Sequence, residues 1–428
     1  MVDRMTGVLV AITTLNNIGW TATLPFVAIY LAVSRATPFW EIGLTYLVTG
    51  LAALSSQVLG GRLIDSYGPR RVMLLGFIVS IGLSVVLGFL IQISAAVLLI
   101  VALYPVTTFT RGISHPAPAA IVAVNKGDSL TMGFSLLTIG SNLGFAAGPA
   151  LGGILSSWFS YPSVFYFSAV VFVLVAVLTR VFVSERLLPL QGPEEPKVKP
   201  RWLSWRDDRN VMLFLVLIFF SFLASGYEIT PLSLYAASFL SVPNDQIGYL
   251  FATNGLVIVL LQIPLIRAVR GWKRLVTPVV LGNFVGIVGF LSTTLASGFL
   301  ELEAVMVILT LGEILLTVPS QRVVTLFSSA ENRGVVQGYY AAVLNAGRTM
   351  AAFVGPLSFG FLLFDLKLAW YAIAAFTFVV NIGMILISPR IQRDFESRRG
   401  RGDRCATRAT NLEISKAGLR GKAGPWRF

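Results

Sequence analysis

The sequence predicts an all-α membrane protein of twelve transmembrane helices arranged as two repeated six-helix bundles, and three observations carry that prediction. Apolar residues make up 55% of the 428 and charged residues 12%, and the mean hydropathy is +0.78. A soluble chain carries about twice that charged fraction. The apolar residues are gathered into runs of ~20, the length that crosses a ~30 Å hydrocarbon core as a helix. Lys and Arg crowd into every second connection between those runs, and landmarks of the first half recur 207 residues later in the second.

In order, the runs predict α1 over 7–33, α2 over 40–64, α3 over 71–92, α4 over 96–124, α5 over 130–158 and α6 over 161–183. The second half predicts α7 over 210–238, α8 over 245–268, α9 over 273–296, α10 over 300–327, α11 over 334–363 and α12 over 367–389. Between the halves, 184–209 is rich in Pro and charge (Pro189, Pro193, Glu194, Glu195, Pro196, Lys197, Lys199, Pro200) and reads as a surface linker. The expected organisation is thus an N-terminal bundle (1–183), a linker (184–209), a C-terminal bundle (210–389) and a basic, solvated tail (390–428). The first apolar run has no small-residue cleavage site after a short core, so it reads as a retained span.

Alternate connections differ sharply in charge. One set holds Arg62, Arg70, Arg71, Lys126, Arg186, Arg201, Arg267, Arg270, Lys273, Arg274, Arg333 and the tail. The other holds only Arg35 and Lys367 as basic residues, beside Glu41, Asp245, Glu301, Glu303 and Asp365. Basic loops stay in the cytoplasm, so both termini and the linker are expected inside a plasma membrane. The net charge of +13 therefore does not point to nucleic acid; the tail alone supplies +7, from 11 Lys/Arg against 4 Asp/Glu.

The repeat is visible residue by residue. Lys126-Gly127, Gly140 and Gly148-Pro149 return as Arg333-Gly334, Gly347 and Gly355-Pro356. Gln57 through Gly68-Pro69-Arg70-Arg71 is echoed by Gln262 through Gly271-Trp272-Lys273-Arg274. The most distinctive stretch is the connection between α2 and α3, Gly60-Gly61-Arg62-Leu63-Ile64-Asp65-Ser66-Tyr67-Gly68-Pro69-Arg70-Arg71. So short a polar link forces a tight hairpin, with Asp65 within reach of Arg62, Arg70 and Arg71. A positive-inside turn needs only the arginines, not the glycines and the aspartate.

This cluster resembles the loop 2–3 signature of the major facilitator superfamily of secondary transporters. A second motif, on α5, is Gly140-x3-Gly144-x3-Gly148-Pro149-x2-Gly152-Gly153. Glycines four apart let a neighbouring helix approach closely, and Pro149 permits a kink. The run Gly144, Gly148, Pro149, Gly152, Gly153 is similar to the antiporter signature of the drug–proton export branches of the superfamily. The upstream glycine of that family pattern is replaced here by Ser135. The resemblance covers about 7–390 and implies alternating access by rocking of the two halves. It also implies that Gly61, Asp65, Gly68, Arg70 and Arg71 form a gating loop and that α1, α4, α7 and α10 line a central cavity.

Ionisable residues inside spans are costly, by roughly 3 kcal/mol at mid-helix, and mark function by default. Arg111 and His115 lie one turn apart on α4. The export branches carry an Arg on this helix ahead of a Gly; Thr108 stands at the usual register, and Arg111 directly precedes Gly112. A lone membrane His is more often a packed hydrogen-bonding group than a proton carrier, although its titration range reaches neutral pH. Glu313 falls at mid-depth on α10, Arg348 at similar depth on α11, and the two are expected to pair. Glu228 lies ~27 Å along α7, near the far boundary. These five, Glu313, Glu228, Arg348, Arg111 and His115, are the proton-coupling candidates. Asn16, Asn17, Trp20, Thr108, Tyr227, Asn254, Gln321 and Asn345 are the polar candidates for the cavity wall.

The expected function is secondary active transport, proton-coupled efflux of lipophilic or amphipathic small molecules, a multidrug antiporter. Protons, a small-molecule substrate and the lipid bilayer are its partners, and a monomer is expected. One alternative is proton-coupled uptake of a metabolite; another is a membrane sensor that binds a ligand without moving it and signals through its tail. No phosphate-binding Gly-x4-Gly-Lys-Ser/Thr loop occurs, which argues against an ATP-driven pump or enzyme. One His and one Cys, Cys405 in the tail, leave no basis for a metal site or cofactor.

Overall fold

The computed structural model describes 4–123, 128–184, 209–328, 333–362, 365 and 367–420, with side chains described outside 124–131, 333–335 and 398–420. Among these residues the chain is helical throughout, without strands. Twelve spans are present: α1 Arg4–Ser34, α2 Phe39–Tyr67, α3 Pro69–Gln92, α4 Val97–Val122, α5 Asp128–Trp158 and α6 Tyr161–Phe182. They continue with α7 Arg209–Ser238, α8 Asn244–Arg270, α9 Thr277–Thr293, α10 Phe299–Leu326, α11 Arg333–Phe361 and α12 Lys367–Arg420. Nine described helices are long and apolar enough to cross a bilayer, and α9 is a shorter apolar helix. The expected linker falls almost wholly outside the described residues, as do Lys126 and Gly127 of the repeat.

One boundary differs from expectation. The last helix does not stop at 389 but passes Pro389 and continues to Arg420. Arg, Lys, Ala, Leu and Glu, all good helix formers, dominate that stretch, so local propensity extends the helix where an unstructured tail was expected.

The sequence repeat is a repeat of packing. α1 packs on α5 and α6 as α7 packs on α11 and α12; α2 packs on α4 as α8 does on α10; α3 packs on α6 as α9 does on α12. Across the halves α2 meets α11 and α5 meets α8. Rows of exposed apolar side chains such as Leu75, Ile78 and Val86 on α3, and Phe378, Ile382 and Ile385 on α12, form the surface that lipid covers.

Three helices are broken near their middles. α1 is interrupted at Ala22–Thr23 ahead of Pro25, and its last turn widens to a π-helix at Tyr30–Ser34. α4 breaks after Ser114 at Pro116, and α7 unwinds through a short 3-10 turn, Gly226–Glu228, ahead of Pro231. Proline removes a backbone donor, and such breaks persist in a membrane where they line a cavity or are buried in protein.

Among the described residues the halves pack on each other from mid-span to the end remote from the α2–α3 hairpin. At that end Phe39 of α2 packs on Phe239, just past the end of α7, and on Phe359 of α11, with ring centroids 5.6 and 6.3 Å apart. Ser157 of α5 also donates to Asp245 of α8 at 3.3 Å. The largest cluster of buried apolar residues joins both halves at this end, including Phe26, Tyr46, Tyr235 and Trp370. At the basic end each half keeps its own cluster, around Leu9, Ile64 and Phe77 in one and Phe214, Val279 and Ile391 in the other. Gly61 and Gly338, near that end of α2 and α11, have nothing within 4 Å of a built Cβ. Among the described residues the molecule is therefore open toward the basic face and sealed at the opposite one.

Candidate functional site

A cavity of ≈ 740 Å³ lies between the halves, between the aromatic seal and the open end. All five ionisable candidates line it: Arg111 and His115 from the N-terminal half, and Glu228, Glu313 and Arg348 from the C-terminal half. Of the polar candidates, Asn17, Trp20, Thr108, Asn254 and Asn345 also line it. Leu24, Phe145, Phe251, Ile258, Val259 and Met306 make much of the remaining wall apolar.

Three expected wall residues are elsewhere. Asn16 is buried inside its own half. Tyr227 is turned by the break in α7 into an aromatic cluster, 6.1 Å from Trp370 and 6.4 Å from Phe290 between ring centroids. Gln321 sits near the basic end of α10, is exposed, and donates to Gln337 of α11 at 3.4 Å. α10 thus gives the cavity only Met306 and Glu313, whereas α2, α5 and α8 contribute wall that the sequence did not single out, such as Thr49, Gln57 and Ser141. These are isolated polar residues in apolar helices, and an alternation of that kind gives no sign of which neighbour it faces.

The C-terminal wall is an ionic cluster. Arg348 Nη2 and Glu313 Oε1 form an ion pair. Asn254 Nδ2 donates to Thr310 Oγ1 at 2.9 Å and lies 3.5 Å from Glu313 Oε2. Glu228 is close enough to interact with both Glu313 and Arg348. Linear distance along α7 puts this carboxylate near the boundary; the 3-10 turn instead carries it into the cluster. Gly226 makes the approach possible, since a Cβ there would sit 2.6 Å from Ala351 Cβ and 3.1 Å from Arg348 Cα. Two carboxyls and one guanidinium thus lie together on this wall, with Glu313 the one in ion-pair contact with Arg348.

The N-terminal wall is simpler. The guanidinium of Arg111 lies over the Trp20 ring, 3.7 Å from its centroid. His115, beyond the break in α4, is exposed to the cavity.

The two glycine motifs are structural. Gly68 joins α2 to α3 with φ 83° and ψ 151°, a conformation a side chain strains to reach. Gly60, not Gly61, provides the close approach: its Cβ would meet Ile113 O of α4 at 2.3 Å. Asp65, Arg62 and Arg71 are exposed, and no carboxylate–arginine contact within 4.0 Å joins Asp65 to the described arginines. Arg70 Nη2 donates to Arg180 O at 2.7 Å instead. On α5, Cβ atoms at Gly144, Gly148 and Gly152 would meet Thr14 O at 2.4 Å, Thr21 Oγ1 at 1.9 Å and Ala22 O at 2.2 Å, all on α1. Gly153 faces α8, where a Cβ would lie 2.5 Å from Asn244 O and 2.9 Å from Gly248 Cα. Among the described residues no group of three or more His, Cys, Asp or Glu is placed to hold a metal ion.

Twelve spans in two repeated halves around a charged central cavity, open at one face, define a membrane carrier. The match to the family model described as Major Facilitator Superfamily extends over residues 9–352, and the chain belongs to that family. It is 26% identical over 359 residues to the uncharacterised MFS-type transporter YttB of Bacillus subtilis, covering 82% of this chain and 86% of that protein. It is 24% identical to multidrug resistance protein 2 of the same organism, covering 80% and 85%. Among solved structures it shares its fold with the nucleoside transporter NupG (TM-score 0.70, 14% identity, 90% of this chain and 99% of that one). It also matches an inward-facing bacterial homologue of the lysosomal transporter Spinster (TM-score 0.71, 14% identity, 91% and 97%). The protein is a multi-pass membrane transporter and not an enzyme.

Proposed function

We propose that this transporter is a proton-coupled exporter of amphipathic small molecules, working as a monomer by alternating access in the cell membrane. The basic bias of alternate loops supports cytoplasmic termini, and with that orientation the cavity faces the cytoplasm, the side from which an exporter loads. Residues 1–183 and 210–389 are the two rocking bodies, joined in sequence by 184–209. The relative named as a multi-drug resistance efflux pump, the PmrA homologue of Lactococcus lactis, supports the export direction.

The observation that carries the reading is the Glu313–Arg348 ion pair beside Glu228 on the cavity wall. An ion pair that is not fully buried, with a second carboxyl in reach, is bistable. Protonation of Glu313 releases Arg348, and the neutral acid no longer holds the open arrangement. Asp65 and the hairpin arginines would latch the cytoplasmic end once the halves meet there, and Gly148-Pro149 would set the shape of α5 during the swing. In proteoliposomes with an imposed pH gradient, Glu313→Gln is expected to abolish substrate-dependent dissipation of the gradient while leaving downhill exchange. Wild-type dissipation in that variant would overturn the assignment.

A further inference from the structure

The N-terminal wall holds a charge that the proton-coupling scheme does not use. Arg111 is 7% exposed, well inside the spans, in the last turn of α4 before its break. Among the described residues no carboxylate lies within ion-pair distance of it; the ion pair in the cavity belongs to Glu313 and Arg348. Among the described residues its Nε and Nη1 meet no hydrogen-bond acceptor. Two neighbouring groups in the same wall are also unpartnered, the indole Nε1 of Trp20 and the hydroxyl of Thr108, one turn before Arg111 on α4. The Trp20 face lies against the guanidinium plane and offsets part of its charge. A π face accepts nothing from the in-plane N–H groups, so the hydrogen-bonding demand stays unmet.

Buried donors in native proteins are almost always partnered, and an isolated cation in a membrane is retained for function. Here three groups able to donate lie together unpartnered, on a cavity wall that holds no carboxylate. The opposite wall is already occupied by carboxylates. A guanidinium fork matches an oxyanion in shape as well as charge.

We propose that the solute carried in this cavity is an amphipathic organic anion, whose carboxylate or other oxyanion is received by Arg111, Thr108 and the Trp20 Nε1 while its apolar body lies against the hydrophobic wall. This deepens the export reading and rests on the chain being a carrier. The charges then divide by half: the N-terminal wall takes the solute's anion, and the C-terminal wall takes the proton.

The test uses the full chain and four probes with one aromatic body: naphthalene-2-carboxylate, its methyl ester, naphthalene-2-sulfonate and a naphthylmethyl trimethylammonium salt. Binding to detergent-purified protein is read by quenching of tryptophan fluorescence, with Trp20→Phe assigning the signal. Carboxylate or sulfonate is expected to bind roughly tenfold more tightly than the ester, and the cation least. A carboxylate-only preference identifies a planar fork, and an equal sulfonate response a general oxyanion site. Arg111→Gln should erase the discrimination, and Arg111→Lys should keep part of it. Size-exclusion profiles and thermal midpoints confirm that each variant is folded. Equal binding of ester and carboxylate, or discrimination that survives Arg111→Gln, overturns the proposal. Counterflow of the same probes in proteoliposomes separates the two readings. Selective binding without flux upholds the anion site and removes the export reading. Flux of the cation with no preference for the anions does the reverse.

Discussion

The two halves of this transporter share a scaffold and differ in almost everything charged. α1, α2 and α4 are packed as α7, α8 and α10 are, yet the first wall bears Arg111 stacked on Trp20 and the second bears Glu228, Glu313 and Arg348. Position 348 shows the divergence directly: 207 residues earlier stands Ser141, a small hydroxyl that accepts from Asn17 at 2.9 Å. Packing is tied to the repeat because each glycine must fit a neighbouring backbone. The cavity side chains touch no such constraint, so they are free to specialise. A site built from two unlike walls can offer a solute and a proton separate groups, as the proposed coupling of one to the other would use.

The comparison breaks most visibly if the two walls are exchanged in function. Glu313→Gln is expected to reduce proton-driven flux by tenfold or more, whereas Arg111→Gln should alter which solutes bind and leave proton release by the C-terminal wall in place. Parallel measurement of gradient dissipation and of probe affinity in both variants checks this.

Packing gives the next largest effect. In the second half the counterpart of Gly144 is Ala351, whose Cβ fits because the opposing residue on α7 is Gly226. In the first half the glycine is on α5, and the α1 backbone opposite leaves no room. Gly144→Ala, although it copies the second half, should therefore destabilise the protein by about 1–3 kcal/mol, and Gly61→Ala should be neutral. Thermal midpoints of the two detergent-purified variants decide it.

The hairpins differ in the same way and more mildly. Gly68 adopts φ 83°, while its counterpart Gly271 sits at φ −81°. Gly68→Ala should cost about 1 kcal/mol and Gly271→Ala nothing measurable, again by thermal midpoint. The smallest effect is expected at Asn254, whose bond to Thr310 is a membrane hydrogen bond worth about 0.6 kcal/mol. Asn254→Ala should barely change stability but should slow coupled flux, because Asn254 also lies beside Glu313.

Much of the site was legible because intramembrane charge is rare. Arg111, His115, Glu228, Glu313 and Arg348 stand out in any apolar helix, and the structure gathers all five around one cavity. Uncharged polar residues were less readable. Asn17 and Asn16 are adjacent and chemically identical, yet only Asn17 reaches the cavity. Gln321 and Tyr227 failed for geometric reasons, one lying too near the basic end and the other rotated away by the unwinding of α7.

By itself the sequence determined the membrane class, the twelve spans, the repeat and the family resemblance. These depend on hydropathy, loop charge and landmark spacing, which are local and additive along the chain. Tertiary structure decided the depth of Glu228, the choice of Gly60 over Gly61 as the close contact, and the stacking of Arg111 on Trp20. It also decided which face is open. Each of these is set by how two helices far apart in the chain meet, and a break of three residues is enough to redirect a side chain that a straight helix would have placed elsewhere.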